Sequence, residues 1–353
     1  MPVLCGLPLA ELTQALAPLP RFRAVQIFKW IARGVLSFDL MSDLPLSLRE
    51  ELKGRFTVCS SVVAERHIDN DGTVKLGIDL ANSARIEAVL LADAGERRTA
   101  CLSTQAGCPA GCVFCKTGSL GFMRNLNPAE IVEQFLFLRE AAGGSIAGGS
   151  IANGSIANIV IMGMGEPLLN LAELRRALAV ISDPQGMNFS KRRITLSTCG
   201  ISEGIIDLAD KGPNLCLALS LTTACEEKRK RLMPVTTTQP LARVKEALAY
   251  FQCKGGGRIT LEAVLLGGIN TTSEDAAALA EFARGLDTVV NLIPWNPVQG
   301  LVFEGKALKE PSAREVESFT RQLEELGLKV TRRYRKGRGV MGACGQLGQL
   351  SPT

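Results

Sequence analysis

Apolar and polar positions follow three different rhythms along this chain. Up to about residue 56, apolar side chains recur at helical spacing, as in Ala24, Ile27, Phe28 and Ile31, which predicts a small helical unit. Across 57–104 the pattern becomes short runs bounded by turn residues, at 73–80, 85–91 and 98–104, which predicts strands. Beyond 105, strand-like and helix-like segments alternate. Strands are expected at 159–162, 193–197, 215–221, 258–265 and 288–293, with helices between them, such as 171–181 and 273–286. Asn127-Pro128-Ala129-Glu130 carries a helix start in full: an N-cap, a proline at the first helical position and a glutamate at the third.

Alternation of this kind implies α/β architecture with a parallel sheet and helices outside it. Counting the strand that ends near Thr104, about six units are legible, fewer than close an eight-fold barrel, so a partial, open (β/α)6 barrel is expected. The expected divisions are a helical accessory unit at 1–56, a β-rich linker at 57–104, the barrel at 105–330 and a C-terminal segment at 331–353. Between 143 and 158 a Gly-Ser-Ile-Ala unit repeats in tandem, which reads as a surface loop without chemistry.

Composition narrows the chemistry. With 46% hydrophobic residues, the 353-residue chain can bury a sizeable core. No apolar stretch reaches the roughly 18 residues of a membrane span, and no basic segment leads into an apolar run as in a leader peptide, so a cytoplasmic protein is expected with no membrane partner. The single histidine, His67, stands beside a predicted turn, Asp69-Asn70-Asp71-Gly72. That poverty argues against a Ser–His–Asp hydrolase, a histidine-rich zinc site and a two-histidine iron site. The 11 cysteines, uneven in number and partly clustered, point instead to metal or redox chemistry on sulfur. Net charge is only +5, but basic residues gather at Lys191-Arg192-Arg193, Lys228-Arg229-Lys230-Arg231 and Arg332-Arg333-Tyr334-Arg335-Lys336, which suits a polyanionic partner.

The sharpest motif is Cys108-Pro109-Ala110-Gly111-Cys112-Val113-Phe114-Cys115. Three thiolates from one tight loop can hold three corners of a [4Fe-4S] cubane and leave the fourth iron open, whereas structural zinc would want a fourth nearby ligand that the sequence does not offer. The spacing resembles the signature of the radical S-adenosylmethionine superfamily. Gly163-Met164-Gly165-Glu166-Pro167, directly after a strand, looks like that superfamily's cofactor-binding turn. Ser197, Ser220-Leu221-Thr222 and Asn296 fall at further strand ends, the rim where such barrels bind ligands.

A narrower resemblance covers nearly the whole chain. The motifs are Cys101 to Cys115, Gly121-Phe122, Arg124-Asn125-Leu126, Thr195-Leu196-Ser197-Thr198, Leu292-Ile293-Pro294-Trp295-Asn296-Pro297 and Ala343-Cys344-Gly345-Gln346-Leu347, with Phe22-Arg23-Ala24 and Trp30-Ile31 near the start. Together they resemble the adenine-C2 methyltransferases that act on 23S rRNA and tRNA.

That resemblance implies a radical mechanism using two S-adenosylmethionine molecules per turnover and an external flavodoxin- or ferredoxin-type reductant. Cys344 would first be methylated. A deoxyadenosyl radical would then take hydrogen from that methyl, and the carbon radical would add to adenine C2. Cys101 would resolve the resulting protein–RNA adduct through a transient disulfide to Cys344, and Glu87 would accept the proton. Cys108, Cys112 and Cys115 would hold the cluster, and Gly165, Glu166, Ser197, Ser220, Leu221, Thr222 and Asn296 the S-adenosylmethionine. A small C-terminal tail, exposed and mobile, is expected to carry Cys344. Two positions depart from the family pattern: Thr222 stands where histidine is usual, and Gly339-Val340-Met341-Gly342 lacks the usual acidic residues. Related C8-adenine methyltransferases share the cysteines and are the main alternative, ahead of a non-catalytic iron–sulfur RNA-binding protein.

Overall fold

The computed structural model describes residues 1–81, 83–92, 97–143, 156–332 and 336–348. The tandem repeat at 143–158 falls largely outside them, as do residues 333–335 of the third basic run.

Three helices open the chain: α1 (Leu9–Ala15), α2 (Arg21–Ala32) and α3 (Leu46–Arg55). Their inward positions, Leu12, Leu16, Ile27, Phe28, Ile31 and Leu52, are all buried, as the helical spacing requires. Strands β1 (Val62–Ile68), β2 (Val74–Asp79), β3 (Arg85–Ala92) and β4 (Arg98–Cys101) follow. A short antiparallel pair, β5 (Gln105–Gly107) and β6 (Phe122–Asn125), then flanks α4 (Lys116–Ser119). The repeating part runs α5 (Pro128–Ala141), β7 (Ile156–Ile161), α6 (Leu171–Ile181), β8 (Ile194–Thr198), α7 (Ser202–Lys211) and β9 (Cys216–Ser220). It continues through α8 (Glu226–Leu232), α9 (Leu241–Cys253), β10 (Ile259–Leu265), α10 (Ser273–Ala283) and β11 (Thr288–Pro294). A small hairpin, β12 (Val302–Phe303) and β13 (Lys306–Ala307), precedes α11 (Ala313–Glu325) and β14 (Val330–Arg332).

One 10-stranded sheet joins β1-β2-β3-β4-β7-β8-β9-β10-β11-β14 in that order. From β4 to β14 every neighbour is parallel, while β1 to β4 pair antiparallel. The open α/β barrel is therefore as expected, with one parallel strand more than the six read from the sequence. That strand, β14, is only three residues long, Val330-Thr331-Arg332, and half-exposed, too short to show an apolar run. The β-rich segment before the barrel is continuous with its sheet. Helix α5 starts as its motif requires: Asn127 accepts from the Glu130 N–H at 3.0 Å and Glu130 from the Asn127 N–H at 2.9 Å, a cap worth about 1 kcal/mol.

A buried carboxylate fastens the helical unit to the barrel. Glu133, in the middle of α5, is fully buried and accepts from the Ser60 N–H at 2.7 Å, the Ser61 N–H at 3.0 Å and the Cys5 thiol at 3.4 Å. No helix among the described residues is long and apolar enough to cross a membrane.

Candidate functional site

Because the barrel strands are parallel, their C-terminal ends share one rim, and there each apolar run turns polar: Ser197-Thr198 on β8, Ser220 on β9, Asn296 just after β11. The cysteine loop hangs over this rim. Gly107, at φ +73°, lets β5 turn into the loop, and an added Cβ there would lie 1.9 Å from the Gly121 carbonyl. The loop is then pinned by backbone: the Cys108 N–H donates to Gly121 at 2.9 Å and the Val113 N–H to Leu232 at 3.0 Å. The buried indole of Trp295 donates to the Phe114 carbonyl at 2.9 Å.

Below the loop lies a cavity of about 160 Å³, partly open to solvent. Its wall contains Cys108, Cys112, Cys115 and Cys344 together with Gly165, Glu166, Ser197, Ser220, Thr222 and Asn296. Residues spread over most of the chain thus meet in one space. Burial pushes all three loop thiols up, Cys108 to about 12, so a metal is needed to ionise them. Among the described residues no three His, Cys, Asp or Glu side chains converge as a single ion requires. A cubane spreads its thiolates over separate irons, so the triplet fits a cluster rather than mononuclear zinc.

The cofactor side is equally built. Gly165 has φ +107°, and a Cβ would lie 2.6 Å from that of Gln105. Both oxygens of Glu166 accept backbone N–H groups, from Leu168 at 3.0 Å and Cys199 at 2.7 Å, which ties the turn to the end of β8; burial raises its pKa. Ser197 and Ser220 share a hydrogen bond at 2.9 Å, and Ser197 also donates to Glu262 at 3.2 Å. Thr222 Oγ1 and Asn296 Oδ1 are buried without a partner, and both residues line the cavity, as groups awaiting a polar ligand would. Thr222 also sits at φ +61°, which for a β-branched residue costs of order 1–3 kcal/mol and is the kind of strain found at ligand clamps. This is the position where the sequence departs from the family's histidine.

The tail carrying Cys344 is docked, not exposed as expected. From Lys336 on it lies against the turn between β1 and β2, where Asp71 accepts from the Gly337 N–H and Asp69 from the Gly339 N–H, each at 2.8 Å. Further on, Ala343, Gln346 and Leu347 are buried. Cys344 is half-buried, and its carbonyl accepts from Asn296 Nδ2 at 3.1 Å. The Lys116 N–H donates to Gly345 at 2.8 Å, Thr117 Oγ1 to Leu347 at 2.7 Å, and the Gly348 N–H to Glu87 Oε2 at 2.6 Å. Packing in place of exposure follows from Leu347 and Ala343, two apolar residues that are buried, Leu347 in the cavity wall.

Cys101, Glu87 and Leu221 are not in the cavity wall. Cys101 ends β4, buried, opposite Val89. Glu87, on β3, is buried, pairs with Lys75 at 3.0 Å and touches the tail at Gly348. Leu221 is fully buried, so only its backbone can serve a ligand.

Sequence reasoning missed Glu262 and Cys199, which line the same cavity. The signal for Glu262 was present: one acid inside the apolar run Ile259-Thr260-Leu261-Glu262-Ala263-Val264-Leu265. Of the basic runs read as suiting a polyanionic partner, Lys191–Arg193 precedes β8 and so lies at the opposite rim, roughly 13 Å of strand away from Ser197. Within the second run, Arg229 is fully buried and faces no solvent.

Comparison with known proteins places this geometry. Residues 102–283 match the radical SAM superfamily, and residues 4–58 match the ribosomal RNA large subunit methyltransferase N-terminal domain. The chain is 46% identical over 348 residues to the probable dual-specificity RNA methyltransferase RlmN of Treponema pallidum (strain Nichols), covering 99% of this chain and 98% of that one. It is 50% identical over 331 residues to the Treponema denticola protein of the same description, covering 94% and 91%. Among solved structures it resembles a radical SAM methyltransferase from Sphaerobacter thermophilus, with a TM-score of 0.90, 36% identity and coverage of 98% and 99%.

Proposed function

Since the chain belongs to the RlmN family of radical SAM RNA methyltransferases, we propose that it methylates C2 of adenine in 23S rRNA and in tRNA through a methylated Cys344. The observation that carries this reading is that Cys344 lines the same cavity as the three loop cysteines. A methyl on its sulfur would then lie beside the place where radical chemistry begins. The bound [4Fe-4S] cluster and S-adenosylmethionine supply the methyl group and the radical reactivity that an unactivated aromatic carbon requires.

The chain's own residues do the rest. Cys108, Cys112 and Cys115 would hold the cluster through their three thiolates. Gly165 lets the Gly163–Pro167 turn close against Gln105, and Glu166 braces it to β8. The unpartnered oxygens of Thr222 and Asn296 and the Ser197–Ser220 pair offer polar contacts to the cofactor. Cys344 receives the methyl and carries it to the base. Cys101 resolves the adduct by a transient disulfide with Cys344, which requires the docked tail to move. Glu87 takes the proton. Lys75 pairs with Glu87 at 3.0 Å, and the Gly348 N–H couples it to the tail. Two S-adenosylmethionine molecules are consumed, with electrons from a flavodoxin- or ferredoxin-type protein, in the cytoplasm.

The test is product analysis. Anaerobic, cluster-loaded protein is given S-adenosylmethionine, reductant and unmethylated 23S rRNA fragment or tRNA, and digested nucleosides are separated by mass spectrometry against both methyladenosine standards. 2-Methyladenosine from both RNAs is expected. 8-Methyladenosine, or no methyladenosine from loaded protein that still cleaves S-adenosylmethionine, overturns the reading.

A further inference from the structure

The second basic run contains a side chain that solvent-facing roles do not explain. Arg229 is 0% exposed, among the largest fully buried side chains in the protein. Its guanidinium donates to four oxygens, all neutral: Leu221 O at 3.1 Å through Nε, Thr236 Oγ1 at 2.7 Å through Nη1, and Cys199 O at 2.6 Å and Ser220 O at 3.2 Å through Nη2. Four of its five N–H groups are thus committed to the ends of β8 and β9 and to the segment after α8.

Hydrogen bonds to carbonyls satisfy the donors but leave the charge uncompensated. Among the described residues no carboxylate lies within ion-pair distance of Arg229. An isolated buried charge costs several kcal/mol unless an opposite charge faces it. The nearby acids make no ion pair with Arg229, although the charge of Glu226 bears on it from beyond that distance. Glu226, one turn earlier on α8, is engaged with the Leu241 N–H at 3.0 Å, and Glu166 holds two backbone N–H groups, one of them that of Cys199, whose carbonyl accepts from Arg229. What does lie close is the cluster loop. Val113 is hydrogen-bonded to Leu232 of the same helix. Two of the acceptors of Arg229, Cys199 and Ser220, line the same cavity as Cys108, Cys112 and Cys115.

We infer that Arg229 is the built-in counter-charge of the iron–sulfur cluster, a positioning residue that raises the cluster's reduction potential and thereby makes it reducible. A thiolate-held cubane carries net negative charge, and adding an electron makes it more negative. Net charge, hydrogen bonding and burial are what set such potentials. A fixed cation in a low-dielectric wall therefore stabilises the reduced form more than the oxidised form. With four of its five donors engaged with protein, Arg229 acts on the cluster through charge. The inference concerns the cluster alone and does not depend on which adenine carbon is methylated.

The experiment is a redox titration of anaerobically reconstituted full-length protein, followed by electron paramagnetic resonance of the reduced cluster. Iron and sulfide contents are matched beforehand. Arg229→Gln should lower the midpoint so that, at the wild-type midpoint, the ratio of reduced to oxidised cluster falls at least tenfold, about 59 mV for a one-electron couple. Arg229→Lys, which keeps the charge but loses the planar fork, should restore most of that shift. Thr236→Val removes one guanidinium contact, so it should lower thermal stability and leave the midpoint unchanged. A purely structural arginine predicts the reverse: every variant less stable and none shifted, which would overturn the inference. Should Arg229→Gln not take up the cluster, Glu226→Gln deletes the acid that most directly offsets Arg229 and should raise the midpoint; an unchanged value there also overturns it.

Discussion

Asn296 donates its side-chain amide to the backbone carbonyl of Cys344 at 3.1 Å, so a residue of the cavity wall holds the sulfur-bearing tail in place. The opposite face of the same amide is buried and unpartnered. A group that binds the tail on one side and awaits a ligand on the other can report cofactor occupancy to the tail.

Asn296→Ala should release that hold. One hydrogen bond of this kind contributes about 1 kcal/mol, so alkylation of Cys344 in cluster-free protein should quicken about five-fold. The rate is read by peptide mass spectrometry, with Cys216 and Cys253, both exposed, as internal references. An unchanged Cys344 rate would show that Leu347 and Gln346 alone fix the tail.

At the joint between helical unit and barrel, burial and then the Glu133 carboxylate push the Cys59 thiol up to about 12. The thiol is therefore protonated in the folded protein at neutral pH. Its alkylation should be slow at pH 8 and rise about tenfold per pH unit towards 12. The linked stability is fully present below the ordinary thiol pKa near 9, and is lost as pH rises from there to about 12. Glu133→Gln should bring the Cys59 profile to lower pH. It should also cost roughly 2–3 kcal/mol by denaturant unfolding, because an amide cannot accept on both sides from the Ser60 and Ser61 N–H groups.

RNA binding should distinguish the basic runs by rim. Lys230→Glu with Arg231→Glu, on α8 beside the site, should weaken binding and reduce the slope of log affinity against log salt by about 1 per lost phosphate contact. Lys191→Glu with Arg192→Glu, at the opposite end of β8, should leave both unchanged. Fluorescence anisotropy at several salt concentrations measures the difference.

Much of this was written in the chain. The Asn127–Glu130 cap, the helical stripe of α2 and the apolar runs of β7 to β11 follow local rules of periodicity and capping, and those elements formed as expected. The loop cysteines stood out as a candidate cluster site because all three come from one short segment. What stayed hidden depends on long-range packing. Nothing local marks β14 as a strand, since its three residues gain their pairing only from β11. The tail's docking depends on partners more than 200 residues earlier, as in Thr117 to Leu347 and Glu87 to Gly348. Arg229 looked like one more surface cation because its neighbours in sequence are charged, while its neighbours in space are carbonyls.

The central claim is that Cys344 is the methyl carrier and Cys101 the resolving thiol, and tail peptide analysis tests it most directly. Wild type, Cys101→Ala and Cys344→Ala are expressed, run on denaturing gels with and without nuclease, and digested for mass spectrometry. The account predicts one added methyl on Cys344 in the wild type and none on Cys101. It predicts a nuclease-sensitive protein–RNA adduct in Cys101→Ala, and neither methyl nor adduct in Cys344→Ala. A methyl on Cys101, or an adduct that forms in Cys344→Ala but not in Cys101→Ala, would contradict it.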